Sequence, residues 1–224
     1  MLAGVDGYKN GWIAVISHGD GSAEVKRFPT FRSLQNDHSL ALIVIDIPIG
    51  LPDYGARVCD QETRKFIGQP RGSSVFPAPI RSMLVALDWE DACRIRFERE
   101  GKKCSKQVAA ILPKIREVDK AMTGDLQQRI REGHPEISFA MMNGGRPMTF
   151  PKKTKKGQSE RLDLLASYFS NIKKHLQTVP GASVDVLDAY ACLWTAQRVA
   201  TNRSKSFPKD RIQDAVGLNM EIVA

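Results

Sequence analysis

Apolar and polar positions over the first fifty residues fall into short strands separated by turn residues. Leu2 to Asp6 is an apolar run ending in a carboxylate. Gly7-Tyr8-Lys9-Asn10-Gly11 carries an Asn-Gly turn signal, and Trp12 to Ile16 is a second β-rich run. After a turn at His18-Gly19-Asp20-Gly21-Ser22, Ala23 to Phe28 alternates as an edge strand does. Phe31 to Asn36 reads as a short helix or loop. Leu40 to Ile47 is a continuous apolar run rich in β-branched residues, the pattern of a strand buried on both faces. Three strands joined by tight turns, then a crossover to a buried strand, predict an α/β chain on a mixed sheet with an antiparallel meander leading in.

The texture changes after Pro48. Proline is dense (Pro48, Pro52, Pro70, Pro77, Pro79), Arg81 to Arg99 is charged and helical, and Gln107 to Ile111 starts another helix before Pro113. Residues 50–128 are therefore expected to form an insert or lid on one domain spanning 1–224. Strand character returns from Ile130 to Phe139, where Pro135 implies an edge strand or bulge. Met141 to Gly157 reads as a basic loop. Gln158 to Leu176 is helical by its apolar spacing, and Ser183 to Thr201 is an amphipathic helix carrying Leu187, Ala191, Trp194 and Val199.

No stretch of eighteen apolar residues occurs, so no membrane span is expected, and Met1 to Asp6 lacks the layout of a signal peptide. Cys59, Cys93, Cys104 and Cys192 show neither a Cys-x-x-Cys pair nor zinc-like spacing with histidines. Reduced thiols in a cytoplasmic protein are the simplest expectation. The net charge of +8 is uneven: from Arg146 to His175, eight basic residues face only Glu160 and Asp163. That excess favours a polyanionic partner, nucleic acid or a phosphorylated small molecule, over an ordinary solvated loop only on balance with other signals.

Those signals are carboxylates in unusual places. Asp6 closes the first strand. Asp46 interrupts the most apolar stretch of the chain, where an unpaired carboxylate costs several kcal/mol or shifts its pKa upward. Asp185 and Asp188 share one face of the last helix, about one turn apart, amid apolar neighbours. Asp6 has an alternative role in a turn and Asp185 as a helix cap; capping explains neither Asp46 nor Asp188. Two strand-end aspartates and a helical pair are a donor set for a hard cation, Mg2+ or Mn2+. Beyond them, Ser73-Ser74-Val75-Phe76-Pro77-Ala78-Pro79, flanked by Arg71 and Arg81, offers hydroxyls, amides and guanidinium groups to a phosphate. Lys152, Lys153, Lys155 and Lys156 are placed to follow a phosphate backbone.

Gly4-Val5-Asp6-Gly7, Val44-Ile45-Asp46-Ile47-Pro48 and Asp185-Val186-Leu187-Asp188-Ala189-Tyr190-Ala191 together resemble the ribonuclease H-like superfamily, and the closing helix is similar to that of Holliday-junction resolvases. Over nearly its whole length the chain resembles domain-of-unknown-function family 429, described as predicted ribonuclease H-like nucleases. The segments that carry this likeness include Asp46-Ile47-Pro48-Ile49-Gly50-Leu51-Pro52, Arg57-Val58-Cys59-Asp60, Pro113-Lys114-Ile115-Arg116-Glu117-Val118-Asp119, His134-Pro135-Glu136-Ile137-Ser138-Phe139 and Asn143-Gly144-Gly145. The resemblance implies a five-stranded mixed sheet flanked by helices and a two-metal phosphodiester hydrolysis. In it Asp6 would bridge two ions roughly 3.5–4 Å apart, and Asp46 and Asp188 would each hold one. Glu136 would add a ligand or orient water, with His134 a candidate proton shuttle. Two further readings share the sheet: a non-catalytic scaffold that binds nucleic acid or a small phosphorylated ligand, and a sugar-kinase-like ATPase, for which 224 residues leave little room.

Overall fold

The computed structural model describes residues 1–224. Strands β1 (Leu2–Tyr8), β2 (Gly11–Ser17) and β3 (Ala23–Phe28) form the expected meander. A short helix α1 (Phe31–Gln35), capped by the Thr30 side chain, then leads to β4 (Leu42–Ile45). With β5 (Ile130–Glu132) these make one mixed sheet in the order β3-β2-β1-β4-β5, antiparallel from β1 to β3 and parallel from β1 through β4 to β5. The helices α2 (Val58–Ile67), α3 (Trp89–Glu100), α4 (Lys106–Asp119), α5 (Pro135–Met142), α6 (Lys155–Ala166), α7 (Ile172–Thr178) and α8 (Ser183–Ala200) flank it. This is an α/β fold consistent with a ribonuclease H-like description. A second sheet pairs β6 (Ser206–Phe207) with β7 (Ile222–Val223), strands too short to give a period-2 signal. No helix is long and apolar enough to cross a membrane.

Strand alternation divides the core into two layers. Ala3, Val5, Trp12, Ala14, Ile16, Ile43 and Ile45 face α1 and α4, meeting Phe31, Leu34, Ile115 and Val118. Ile13 and Val15 face the other way, onto the layer built by α5, α6 and α8, and Val44 meets Cys192 and Ala196 of α8 on that side. By the same parity Gly4, Asp6 and Asp46 belong to the α8 face. At Gly4 the helix touches the strand backbone. A Cβ there would lie 2.0 Å from the Leu193 nitrogen and 2.1 Å from the Ala189 oxygen, so only glycine fits.

Several expectations are corrected. The segment Ile130–Phe139 is not one strand: β5 ends at Glu132, and Pro135 is the first residue of α5, where its missing N–H would have had no helical partner anyway. Helix α4 starts before Pro113, as the sequence suggests, and runs on through it to Asp119, held by burial of Leu112, Ile115 and Val118. That burial also makes α4 a covering layer of the central sheet, in addition to any part it plays in the 50–128 segment. Its Glu117 carboxylate accepts the Trp12 indole N–H at 3.2 Å, and Lys114 donates to the Gly11 carbonyl at 2.5 Å. The basic loop ends earlier than Gly157, because Thr154 caps α6 and puts Lys155 and Lys156 in its first turn. The Gln158–Leu176 helix breaks between Ala166 and Ile172.

Replacing Gly4 by alanine is expected to lower stability by about 3 kcal/mol, the upper range for forced overpacking. Gly124→Ala, where no atom lies within 4 Å of the new Cβ, should change it by only a few tenths of that. Urea unfolding of both variants checks this; equal midpoints would contradict the backbone contact.

Candidate metal centre

The carboxylates of Asp6, Asp46 and Asp188 come together with one oxygen from each within 4.8 Å of the others. Three local features put them there. Asp6 lies near the C-terminal end of β1, and its Oδ1 accepts the Gly7 N–H at 2.6 Å. Asp46 directly follows β4, and its N–H donates to the Val5 carbonyl at 2.9 Å, which carries the pairing of β1 and β4 one step beyond the strand. Asp188 reaches them because α8 runs along β1 at Gly4. Two strand residues from Gly4 to Asp6 advance about 6.6 Å, and four helical residues from Cys192 back to Asp188 about 6 Å, so the two carboxylates meet.

The cluster is crowded with negative charge. Burial, then the neighbouring Asp46 and Asp188, push the Asp6 pKa well above the usual carboxylate range, against the opposing pull of Lys152. Burial pushes Asp46 up to about 7, again opposed by Lys152. The Lys152 ammonium lies 2.5 Å from Asp188 Oδ2. Although burial disfavours its charge, Asp188, Asp6 and Asp46 together hold its pKa above the normal lysine value. Two buried carboxylate oxygens have no partner at all: Asp188 Oδ1 and Glu136 Oε2. An all-oxygen donor set with orphaned, fully desolvated oxygens fits a hard divalent cation.

The centre opens into a cleft of about 490 Å³. Glu136 and His134 line it, and each also has a structural partner. Glu136 Oε1 accepts from the buried Arg161 at 2.6 Å. His134 caps α5, its Nδ1 accepting the Glu136 N–H at 3.3 Å. Burial lowers the His134 pKa despite the nearby carboxylates, so the ring is neutral with its proton on Nε2. Arg71, Ser73, Ser74, Lys152 and Lys153 also line the cleft. Arg71 makes only a 3.4 Å contact to the Thr149 carbonyl, and its Nε is buried without a partner.

Arg81 is not among these residues. Its guanidinium is taken by both oxygens of Asp119, at 3.0 and 3.1 Å, and by Asp214, which removes it as a phosphate ligand. Asp185 lies outside the close trio. It does not cap α8 either: Ala182 occupies that position, and Asp185 sits in the first helical turn, half-buried, its pKa raised by burial and by Asp188. Lys155 and Lys156 stay outside the cleft lining, Lys156 lying over the Phe150 ring at 5.5 Å.

Sequence reasoning overlooked a second charged group in the cleft wall. Arg57, just before α2, is buried with both ends of its guanidinium engaged. It contacts Glu132 at 2.7 Å twice and Asp60 at 2.6 and 3.2 Å. It donates as well to the Ile49 and Gly50 carbonyls, while the Ala78 N–H caps Asp60 and the Ile49 N–H caps Glu132. The network joins β5 to the chain from Ile49 to Ala78. The Arg57-Val58-Cys59-Asp60 spacing, i to i+3 at a helix start, was its one legible sign; Glu132 at the end of a three-residue strand had none. Lys114 also lines the cleft and was overlooked.

Arg57→Met would strand two buried carboxylates. Destabilisation of about 3–5 kcal/mol is expected at pH 8. The defect should shrink toward pH 5, because Glu132, already pushed up to about 7 by burial, can then take a proton. Denaturant melts at both pH values check the sign.

Searches against curated proteins and against solved structures each returned no match. A family model does match, over residues 4–212, a span that includes every carboxylate of the centre and the whole cleft wall up to Lys153. The chain belongs to the family described as "Protein of unknown function (DUF429)".

Proposed function

We propose that this chain is a divalent-metal-dependent hydrolase of phosphodiester bonds, a nuclease, with Mg2+ or Mn2+ held by Asp6, Asp46 and Asp188. The observation that carries the reading is the convergence of these three carboxylates beside the orphaned Asp188 Oδ1. A bound cation would supply Lewis-acid activation of water and of the scissile phosphate. The chain's own groups do the rest. Gly7 N–H holds one Asp6 oxygen and leaves the other free to turn inward. Arg71, with its unpartnered Nε, together with Ser73, Ser74 and Lys153, is available in the cleft lining to bind phosphate oxygens. His134, neutral and protonated on Nε2, can donate to a leaving oxygen or orient water, while Arg161 keeps the Glu136 carboxylate fixed beside it.

Asp46→Asn is expected to abolish Mg2+- or Mn2+-dependent cleavage of labelled DNA or RNA. It should also raise the thermal midpoint of the metal-free protein, because it removes one of several crowded buried charges. Full cleavage by the variant would sink the assignment.

Cation binding must displace protons from Asp6 and Asp46, both held above the usual carboxylate range. Mn2+ affinity should therefore rise as the pH climbs through about 7, where Asp46 loses its proton. Below about pH 7 it should fall roughly tenfold per pH unit for each proton displaced. A titration between pH 8 and pH 6 that shows no change would contradict this.

A further inference from the structure

We propose that the centre is built for one divalent cation, with the Lys152 ammonium standing where a second cation would otherwise sit. The proposal rests on the metal-dependent reading above and makes it more specific. It departs from the two-ion arrangement that the family resemblance implies.

Ligand supply is the first argument. The three carboxylate oxygens lie within 4.8 Å of one another. Opposite ligands of one octahedral Mg2+ are about 4.2 Å apart, so a slight inward rotation lets all three reach the same ion. Asp188 has one oxygen free and the other bound to Lys152 at 2.5 Å. A second ion would have to displace that ammonium. Beyond the second oxygens of Asp6 and Asp46, residues the first ion already uses, its one remaining buried carboxylate oxygen without a partner is Glu136 Oε2, because Arg161 holds Oε1. Asp185 lies outside the trio.

Charge is the second. Three carboxylates are neutralised by one divalent ion and one ammonium together; a second divalent ion would leave an excess of two positive charges beside the ammonium, or of one if it displaced the ammonium. The flanking acids already have partners. Arg161 answers Glu136, and Lys114, its side chain against Gly7, lies near Asp6 and Asp185.

The third is that Lys152 is held in place by its surroundings. Glu160 of α6 accepts the N–H groups of Thr149 and Phe150 at 2.7 and 3.0 Å. Arg161 donates to the Phe150 carbonyl at 3.0 Å. Gly157 packs so closely that a Cβ would lie 2.0 Å from the Pro151 oxygen. The first two turns of α6 thus fix the chain up to Pro151, and the next side chain enters the centre. Lys152 is a positioning residue: it orients Asp188 so that Oδ1 faces the cation.

The experiment is Mn2+ binding to the full chain at pH 8, counted by equilibrium dialysis and by loss of the free-ion electron spin resonance signal. Wild type should bind one Mn2+ per chain. Lys152→Met should bind it roughly tenfold more tightly, the least expected when a unit charge beside a divalent ion is removed under water-like screening. Lys152→Arg, which keeps the charge, should retain wild-type stoichiometry and affinity, and far-ultraviolet circular dichroism confirms that both variants fold. Two ions per wild-type chain would overturn the proposal and leave the metal-dependent reading standing. One ion with unchanged or weaker affinity in Lys152→Met would overturn the role of the lysine. No bound ion in wild type would overturn both.

Discussion

The close approach of α8 to β1 at Gly4 organises this molecule. Helix backbone and strand backbone touch with no side chain between them, a distance that only glycine permits. Because the helix cannot slide or lift without losing that contact, the position of Asp188 relative to Asp6 is set by two rises, one along a strand and one along a helix. The parallel pairing of β1 with β4 then adds Asp46 at the same height. A carboxylate cluster that resists its own assembly, through desolvation and mutual repulsion, is thus imposed by packing elsewhere.

Around this frame, two sets of buried charges divide the work. Arg57 with Asp60 and Glu132 is almost fully satisfied, every carboxylate oxygen having a donor, and it fastens the proline-rich segment to the parallel edge of the sheet. Asp6, Asp46, Asp188 and Glu136 are incompletely satisfied, with two orphaned oxygens and one ammonium. The contrast between them matters more than either alone. A buried polar network closes on itself where it serves the fold and is left open where a ligand is to complete it.

Much of this was legible in the residues. The meander, the buried fourth strand and the last helix followed from periodicity, since each is long enough to show its period. Asp6, Asp46 and Asp188 stood out because a carboxylate in an apolar run has few physical excuses. What failed did so locally. Pro135 looks the same at a strand edge and at the first turn of a helix, and histidine, here the cap that accepts the Glu136 N–H, is not a residue whose type announces a helix start. Arg81 closely follows the serine- and proline-rich stretch in sequence but meets Asp119 and Asp214, partners no local pattern could name. Glu132 and Arg161 were invisible because their significance lies wholly in partners at long sequence separation.

The spread of the centre along the chain also has a kinetic side. Asp6 and Asp46 belong to neighbouring strands that pair early in the sequence, whereas Asp188 arrives on a helix whose docking spans most of the polypeptide. Contacts of such separation form late in folding and, during synthesis, only after the helix has left the ribosome. Until then the two strand-end aspartates stand beside each other without Lys152, Asp188 or the cleft wall. A nascent chain of this protein therefore carries an exposed carboxylate pair but no assembled centre, and the competence to hold a cation appears in one step, when α8 settles onto Gly4.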